Sequence, residues 1–278
     1  MQESQDSRCV CRTLAVKELI KTNIMHPQAF YAIRKFLETY LSNQRSSGIK
    51  NSAHDQDKSN GLTQSRSNLI VDIGSYDPTY SIRRLVNQTM PKTDYIGLDQ
   101  EKGPNVDLVL SDPYKFPLPD RTANVVISTS VFEHVEFFWV LYLEILRILA
   151  EDGLFLMIAP SRGPYHKHPV DCWRFYPDSS RALVNWAKQN HYSPKVLESF
   201  TSTLSVDQSG KVHHHDLWAD HIAVHVKEGA NALQYPDRLI SAFGPNVANA
   251  TVNGRSSEPK YFSHHDQILM NSPTYKQI

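Results

Sequence analysis

From residue 68 onward the chain alternates between short apolar runs and segments in which apolar residues return every three or four positions. The runs are 68–73 (NLIVDI), 94–98 (DYIGL), 106–110 (VDLVL), 124–128 (NVVIS) and 154–159 (LFLMIA). Continuous apolar runs stopped by Gly, Asp, Ser or Pro suit strands buried on both faces. Between them the spacing predicts a helix starting at 81–86, a strong helix over about 134–150 and another over 178–190. Strands alternating with helices predict a parallel sheet with helices on both faces. Two later runs, 195–202 (KVLESFTS) and 221–227 (HIAVHVK), predict further strands.

The flanks read differently. Val16, Leu19, Ile20 and Ile24, then Phe30, Ile33, Phe36, Leu37, Tyr40 and Leu41, predict helix over 16–43 with a break near His26-Pro27. Residues 44–67 are almost free of large apolar groups and read as a flexible linker. Residues 229–278 are rich in Asn, Ser, Pro and His and read as an extended or partly disordered tail. The expected organisation is therefore 1–67 helix and linker, 68–228 α/β domain and 229–278 tail. Removing either flank should leave the 68–228 core folded.

Composition narrows the function classes. The 278 residues hold 29 Lys+Arg and 29 Asp+Glu, a balance unlike that of a nucleic-acid-coating protein. No nucleic-acid partner is expected. Three cysteines, Cys9, Cys11 and Cys172, give no disulfide or zinc framework. The longest apolar stretch, 131–150, carries Glu133, His134, Glu136, Glu144 and Arg147, so no membrane span is expected. The opening MQESQDSRCVCR has no apolar signal core, and the expected location is the cytoplasm.

In an open α/β sheet, ligands lie beyond the carboxyl ends of the strands. Here those ends carry Asp72, Gly74, Ser75, Tyr76 and Asp77, then Asp99, then Asp112, then Ser130 to His134. Carboxylates at three of four strand ends suit a ligand with hydroxyls, an amine and a sulfonium better than a phosphate. No GxGxxG and no GxxxxGK[ST] is present, which speaks against dinucleotide and P-loop chemistry. The absence of a Tyr-x-x-x-Lys pair also speaks against a nicotinamide-dependent sugar enzyme. Gly74 lets the backbone approach a ligand. Asp99 is placed to accept from ribose hydroxyls, and Asp112 from an adenine amine. Taken singly, each acid also reads as a helix cap.

Over about residues 68–190 the sequence resembles the class I S-adenosylmethionine-dependent methyltransferases, of the type 11-like kind. VDIGSYD is similar to the first motif, YIGLD to the second, LVLSDPYKFPLPD to the adenine-side motif, and NVVISTSVFEHV to the fourth. LEILRILAEDGLFLMIAP resembles the block that leads into strand five. YHKHPVDCWRFYPDSSRALVNWA resembles a bacterial subgroup associated with surface-glycan and sugar modification. The resemblance implies a Rossmann-like sheet of seven mostly parallel strands with the last one antiparallel. It implies S-adenosyl-L-methionine as cofactor, held by Asp72, Gly74, Tyr76, Asp99, Asp112 and Ser130. One departure is that only Gly74 survives of a normally glycine-rich first loop. That loss motivates an alternative: a binding protein of the same fold without catalysis.

Methyl transfer to a hydroxyl needs an aligned acceptor and a base near neutral pKa. His166 is the preferred base, with Asp171 as orienter and Arg174 as a clamp for an acceptor anion. Trp173 and Tyr176 share this loop with prolines and suit stacking on a glycan or other small polar acceptor. Asp171, Trp173, Arg174 and Tyr176 read equally as a structural lid held by internal ion pairs. His134 sits beside the expected methyl position and reads first as a helix N-terminal or cofactor-packing residue. His166, His168 and Asp171, or His213 to Asp216, offer metal-ligand chemistry without clear spacing, so no metal is expected.

Overall fold

The computed structural model describes residues 27–42, 68–79, 81–206, 211–214, 217–228, 235–252 and 255–256. The predicted helical stretch 16–26 and the predicted linker lie outside these residues. A nine-stranded sheet runs in the order β11-β10-β6-β9-β5-β4-β1-β2-β3. Its members are β1 (Asn68–Ile73), β2 (Thr93–Asp99), β3 (Leu108–Val109), β4 (Ala123–Thr129), β5 (Leu149–Arg162), β6 (Lys195–Ser202), β9 (Ala219–Val226), β10 (Val247–Val252) and β11 (Arg255–Ser256). A separate hairpin pairs β7 (Leu204–Val206) with β8 (Val212–His214).

β1 pairs in parallel with β2 and β4, and β4 in parallel with β5. β9 lies antiparallel between β5 and β6, as expected for the HIAVHVK run. The seven strands from β3 to β6 are thus the expected mostly parallel sheet with one reversed member. β10 and β11 extend it beyond that expectation.

Neighbouring residues of the central strands point to opposite faces, and both faces are buried. Ile70, Val125, Leu156 and Ile158 join one apolar cluster. Val71, Val126, Phe155 and Met157 join the other. Helices α3 (Phe138–Ile148) and α4 (Pro177–Gln189) cover the second face. The first face is covered by α1 (Pro27–Phe36), α2 (Ile82–Thr89) and the 235–243 segment.

Two boundaries therefore differ from the sequence reading. Ala32, Ile33, Phe36 and Leu37 are fully buried against the sheet. Each large side chain among them contributes about 1.5–3 kcal/mol of burial, so α1 belongs to the core and is not a detachable appendage. Tyr235, Leu239 and Phe243 are also buried there. The described part of the 229–278 segment is thus a strap with an edge strand, not a tail.

Glu198 ties these pieces together. It is fully buried on β6 and accepts a hydrogen bond from the Tyr40 hydroxyl. It also accepts from the backbone N–H groups of Leu239 and Ile240 at 2.7 and 2.8 Å. A buried carboxylate with three donors is well compensated. Among the described residues no helix is long and apolar enough to cross a membrane.

Candidate active site

The carboxyl ends of β1, β2 and β4 form one edge, and the loop after β1 folds across it. Gly74 and Ser75 both donate backbone N–H bonds to Leu98 O, at 2.9 and 3.1 Å. Gly74 has φ +76°, and a Cβ there would lie 2.2 Å from Val131 Cγ2. Only glycine fits this close approach without strain. Tyr76 rests its ring against Gly103, where a Cβ would be 2.1 Å away.

Asp99, partly exposed at the end of β2, accepts Tyr76 N–H at 3.0 Å and Glu101 N–H at 3.0 Å, one on each oxygen. Each oxygen retains a lone pair for a further donor. Asp112 is exposed and accepts Tyr114 N–H at 2.8 Å. Ser130, with φ +54°, is exposed at the end of β4. Gly74, Tyr76, Asp99, Asp112 and Ser130 thus lie at the strand ends where the sequence places them.

Asp72 does not join them at the surface. It is 2% exposed, bonded to the Tyr95 hydroxyl, and lies beneath the loop. Burial, together with the charges of Asp99 and Asp77, raises its carboxyl to about 7. Its second oxygen is buried without a hydrogen bond. Asp72 supports the loop from beneath.

The acceptor side is built by the loop 163–176 lying over the 3₁₀ turn Phe132–His134. Cys172 N–H donates to Glu133 O at 2.7 Å, Phe175 N–H to Pro160 O at 2.9 Å, and Trp173 Nε1 to Val135 O at 3.0 Å. His134 donates from Nδ1 to Val170 O, which leaves Nε2 as the lone-pair nitrogen. α3 begins only at Phe138, so His134 belongs to this turn and not to a helix N-terminus.

His166 and Asp171 come together as the sequence reading paired them. His166 N–H donates to Asp171 Oδ2 at 2.8 Å, and Nδ1 stands 3.3 Å from the same oxygen. The Asp171 side chain is buried, and the Arg174 guanidinium holds its carboxyl down to about 2. Arg174 grips both oxygens of Asp171 and also donates to Trp173 O and Pro164 O. Its two terminal nitrogens are therefore engaged inside the loop. Tyr176 is 57% exposed and Trp173 36%; the latter also packs on Phe138 and Trp139.

Two acids that sequence reading did not single out as functional sit against this group. Glu133 is fully buried, and neither carboxylate oxygen makes a hydrogen bond among the described residues. Burial, offset in part by Glu133's own backbone N–H and by Arg174 and reinforced by the charges of Asp220 and Asp171, lifts it to about 8. Asp220, at the start of β9, is bonded by Trp218 Nε1 at 3.1 Å, and burial raises it to about 7. The signal for Asp220 was available: an antiparallel strand begins at the edge where its parallel neighbours end. The side chains of His213 to Asp216 lie outside the described residues.

Residues 86–157 match a family model described as a methyltransferase domain. The match begins within α2 and runs through β2, β3, β4 and α3 into β5. It likens this part of the sheet to a methyltransferase domain, and the cofactor that such a domain implies is S-adenosylmethionine. The residues present fit that group: a bare glycine backbone, an accessible carboxylate after β2 and an exposed serine after β4 line one edge.

No curated protein matches the chain. Among solved structures it is similar to the YcgJ protein from Bacillus subtilis, with 12% identity and TM-score 0.40 over 59% of this chain and 93% of that one. A SAM-dependent methyltransferase from Archaeoglobus fulgidus gives 12% identity and TM-score 0.40 over 58% and 86%. The MccD protein gives 9% and 0.44 over 74% and 100%. These likenesses are too slight to bear on the chemistry.

Proposed function

We propose that the chain transfers a methyl group from S-adenosylmethionine to an oxygen, less readily a nitrogen, of a small polar or sugar-linked acceptor. One observation carries this reading. The cofactor-side groups Gly74, Asp99 and Ser130 occupy the same sheet edge as a histidine whose ring is bonded to Pro164 O with the Asp171 carboxylate 3.3 Å away, beneath a loop bearing exposed aromatics. The cofactor, when bound, supplies an electrophilic methyl on a sulfonium whose thioether is the leaving group.

This chain's residues then have three tasks. Asp99 accepts from the ribose hydroxyls, Asp112 from the adenine amine, and the Gly74 and Ser130 backbones border the methionine end. His166 takes the acceptor's proton at Nε2, while Pro164 O accepts from Nδ1 and the nearby Asp171 charge stabilises the resulting imidazolium. Tyr176 and Trp173 present aromatic faces that suit a sugar ring. The absence of a disulfide framework goes with a cytoplasmic location.

The test is calorimetric titration of the full chain with S-adenosylmethionine and S-adenosylhomocysteine, with NADH as control. Micromolar binding of both sulfur compounds, but not NADH, is expected. Tritiated S-adenosylmethionine then screens nucleotide-sugars and glycans as acceptors. No heat with either sulfur compound overturns the proposal and favours the non-catalytic binding protein that the glycine-poor loop suggests.

A further inference from the structure

Three donor atoms converge beneath the 163–176 loop. They belong to Glu133, His134 and His166, and all lie within 4.8 Å of one another. Glu133 Oε1 stands 3.7 Å from His134 Nε2 and 3.9 Å from His166 Nε2. A fully buried carboxylate with both oxygens lacking hydrogen bonds is costly unless something else compensates it.

The two imidazoles are also set up in a particular sense. His134 Nδ1 is engaged by Val170 O, and His166 Nδ1 by Pro164 O at 3.3 Å, with Asp171 Oδ2 also 3.3 Å away. Both arrangements fix the proton on Nδ1 and turn the Nε2 lone pair toward Glu133. An imidazole whose other nitrogen donates to a carboxylate or carbonyl is the usual form of a metal-bound histidine.

We propose that Glu133, His134 and His166 bind a divalent first-row transition metal ion, with zinc the best match to two imidazoles and one carboxylate. Zinc bonds to these donors are about 2.0–2.2 Å long. A tetrahedral site therefore sets its ligand atoms roughly 3.4 Å apart. Side-chain rotations of roughly 1 Å would close the present arrangement onto an ion. Two imidazoles disfavour magnesium and calcium, which take oxygen donors. Three protein ligands leave a coordination position open toward the acceptor side, as in metal sites that hold a substrate oxygen. Metal binding and proton acceptance use the same His166 lone pair, so a loaded protein does not use His166 as its base.

This inference does not rest on the cofactor reading, and the same samples separate the two. The full chain is stripped with a chelator and titrated with cobalt(II), following its visible ligand-field bands, then competed with zinc. One equivalent is expected to bind, with zinc displacing cobalt. His166→Ala and Glu133→Gln should weaken binding by more than about 100-fold, and Asp171→Asn by about 10- to 100-fold. Replacing His213, His214 and His215 together should change nothing. Melting curves check that each variant folds. Absence of cobalt or zinc binding by the wild-type protein overturns the proposal whatever the variants do. So does binding that survives Glu133→Gln and disappears with the His213–His215 replacement. S-adenosylhomocysteine binding is measured on every sample; its loss with metal binding intact would count against the cofactor reading alone.

Discussion

The two halves of the sheet's carboxyl edge are built on opposite plans. On the β1–β2 side the rim groups are held by the chain itself, while Asp72 beneath them keeps one oxygen without a hydrogen bond among the described residues. Asp99 holds two backbone amides, Asp77 holds Thr79 N–H at 2.7 Å, and Asn105 bridges Ser81 and Asp77 O. On the β4–β9 side Glu133 is buried with no hydrogen bond, and two histidines turn their free nitrogens toward it. The first half has a rim fixed by its own backbone bonds that offers a ligand its outer surface. The second keeps compensation open for something that arrives.

The sharpest way to break this contrast is at the frame. Gly74→Ala forces a Cβ to within 2.2 Å of Val131 Cγ2 at φ +76°. Strain of about 1–3 kcal/mol and overpacking of about 1–3 kcal/mol should lower stability by more than about 2 kcal/mol. S-adenosylhomocysteine binding should be lost with it. Urea unfolding and calorimetry check both; an unchanged variant would show that the loop is loose.

Asp72 gives a smaller effect with a defined sign. Its carboxyl is raised from the ordinary 3.8 to about 7 in the folded protein. The folded state therefore holds the proton more tightly, and stability declines as pH rises from about 4 to about 7. Asp72→Asn keeps an acceptor for Tyr95 and removes this decline. The stability difference between variant and wild type should grow in the variant's favour by on the order of 2 kcal/mol across that window. Unfolding measured at pH 4.5 and pH 7.5 decides it.

The opposite sign holds for His221 and His225. Burial lowers both to about 3, so both are neutral in the folded state at ordinary pH. Stability should fall as pH drops below about 6.5 toward 3. His225→Phe should blunt that acid loss, read from melting temperature against pH. Smallest of all should be the stability change from Glu133→Gln near pH 4, where the carboxyl is protonated folded or unfolded: about 1 kcal/mol or less is expected, against a much larger one for Glu198→Gln. Toward pH 8 the raised Glu133 carboxyl should tilt the difference in the variant's favour, with the same sign as Asp72→Asn.

Much of this edge was legible in the sequence because each parallel strand ends in a polar residue at a fixed place. Gly74, Asp99, Asp112 and Ser130 follow from that alone. The pairing of His166 with Asp171 was also read from their spacing in one loop. Burial was not legible. Asp72 and Asp99 look alike as strand-end acids, yet one lies under the loop and the other on its rim. Arg174 looked available until its fork closed on Asp171. The core roles of Tyr235, Leu239 and Phe243 were hidden because the strap forms only short 3₁₀ turns, Leu239–Ala242 and Gly244–Asn246, too brief to set up a helix or strand period. β10 was hidden by Asn249, which takes φ +50° where the register shifts between Ala248 and Thr251.

The most direct test sets the two halves side by side. S-adenosylhomocysteine is titrated calorimetrically into the full chain and into its Asp99→Ala and Glu133→Gln variants. Loss of hydrogen bonds to a charged group costs about 1.5–3 kcal/mol. Asp99→Ala should therefore weaken binding by roughly 10- to 100-fold, while Glu133→Gln leaves it within about twofold. Equal losses in the two variants, or none in Asp99→Ala, would contradict the division of the edge into a cofactor frame and an acceptor side.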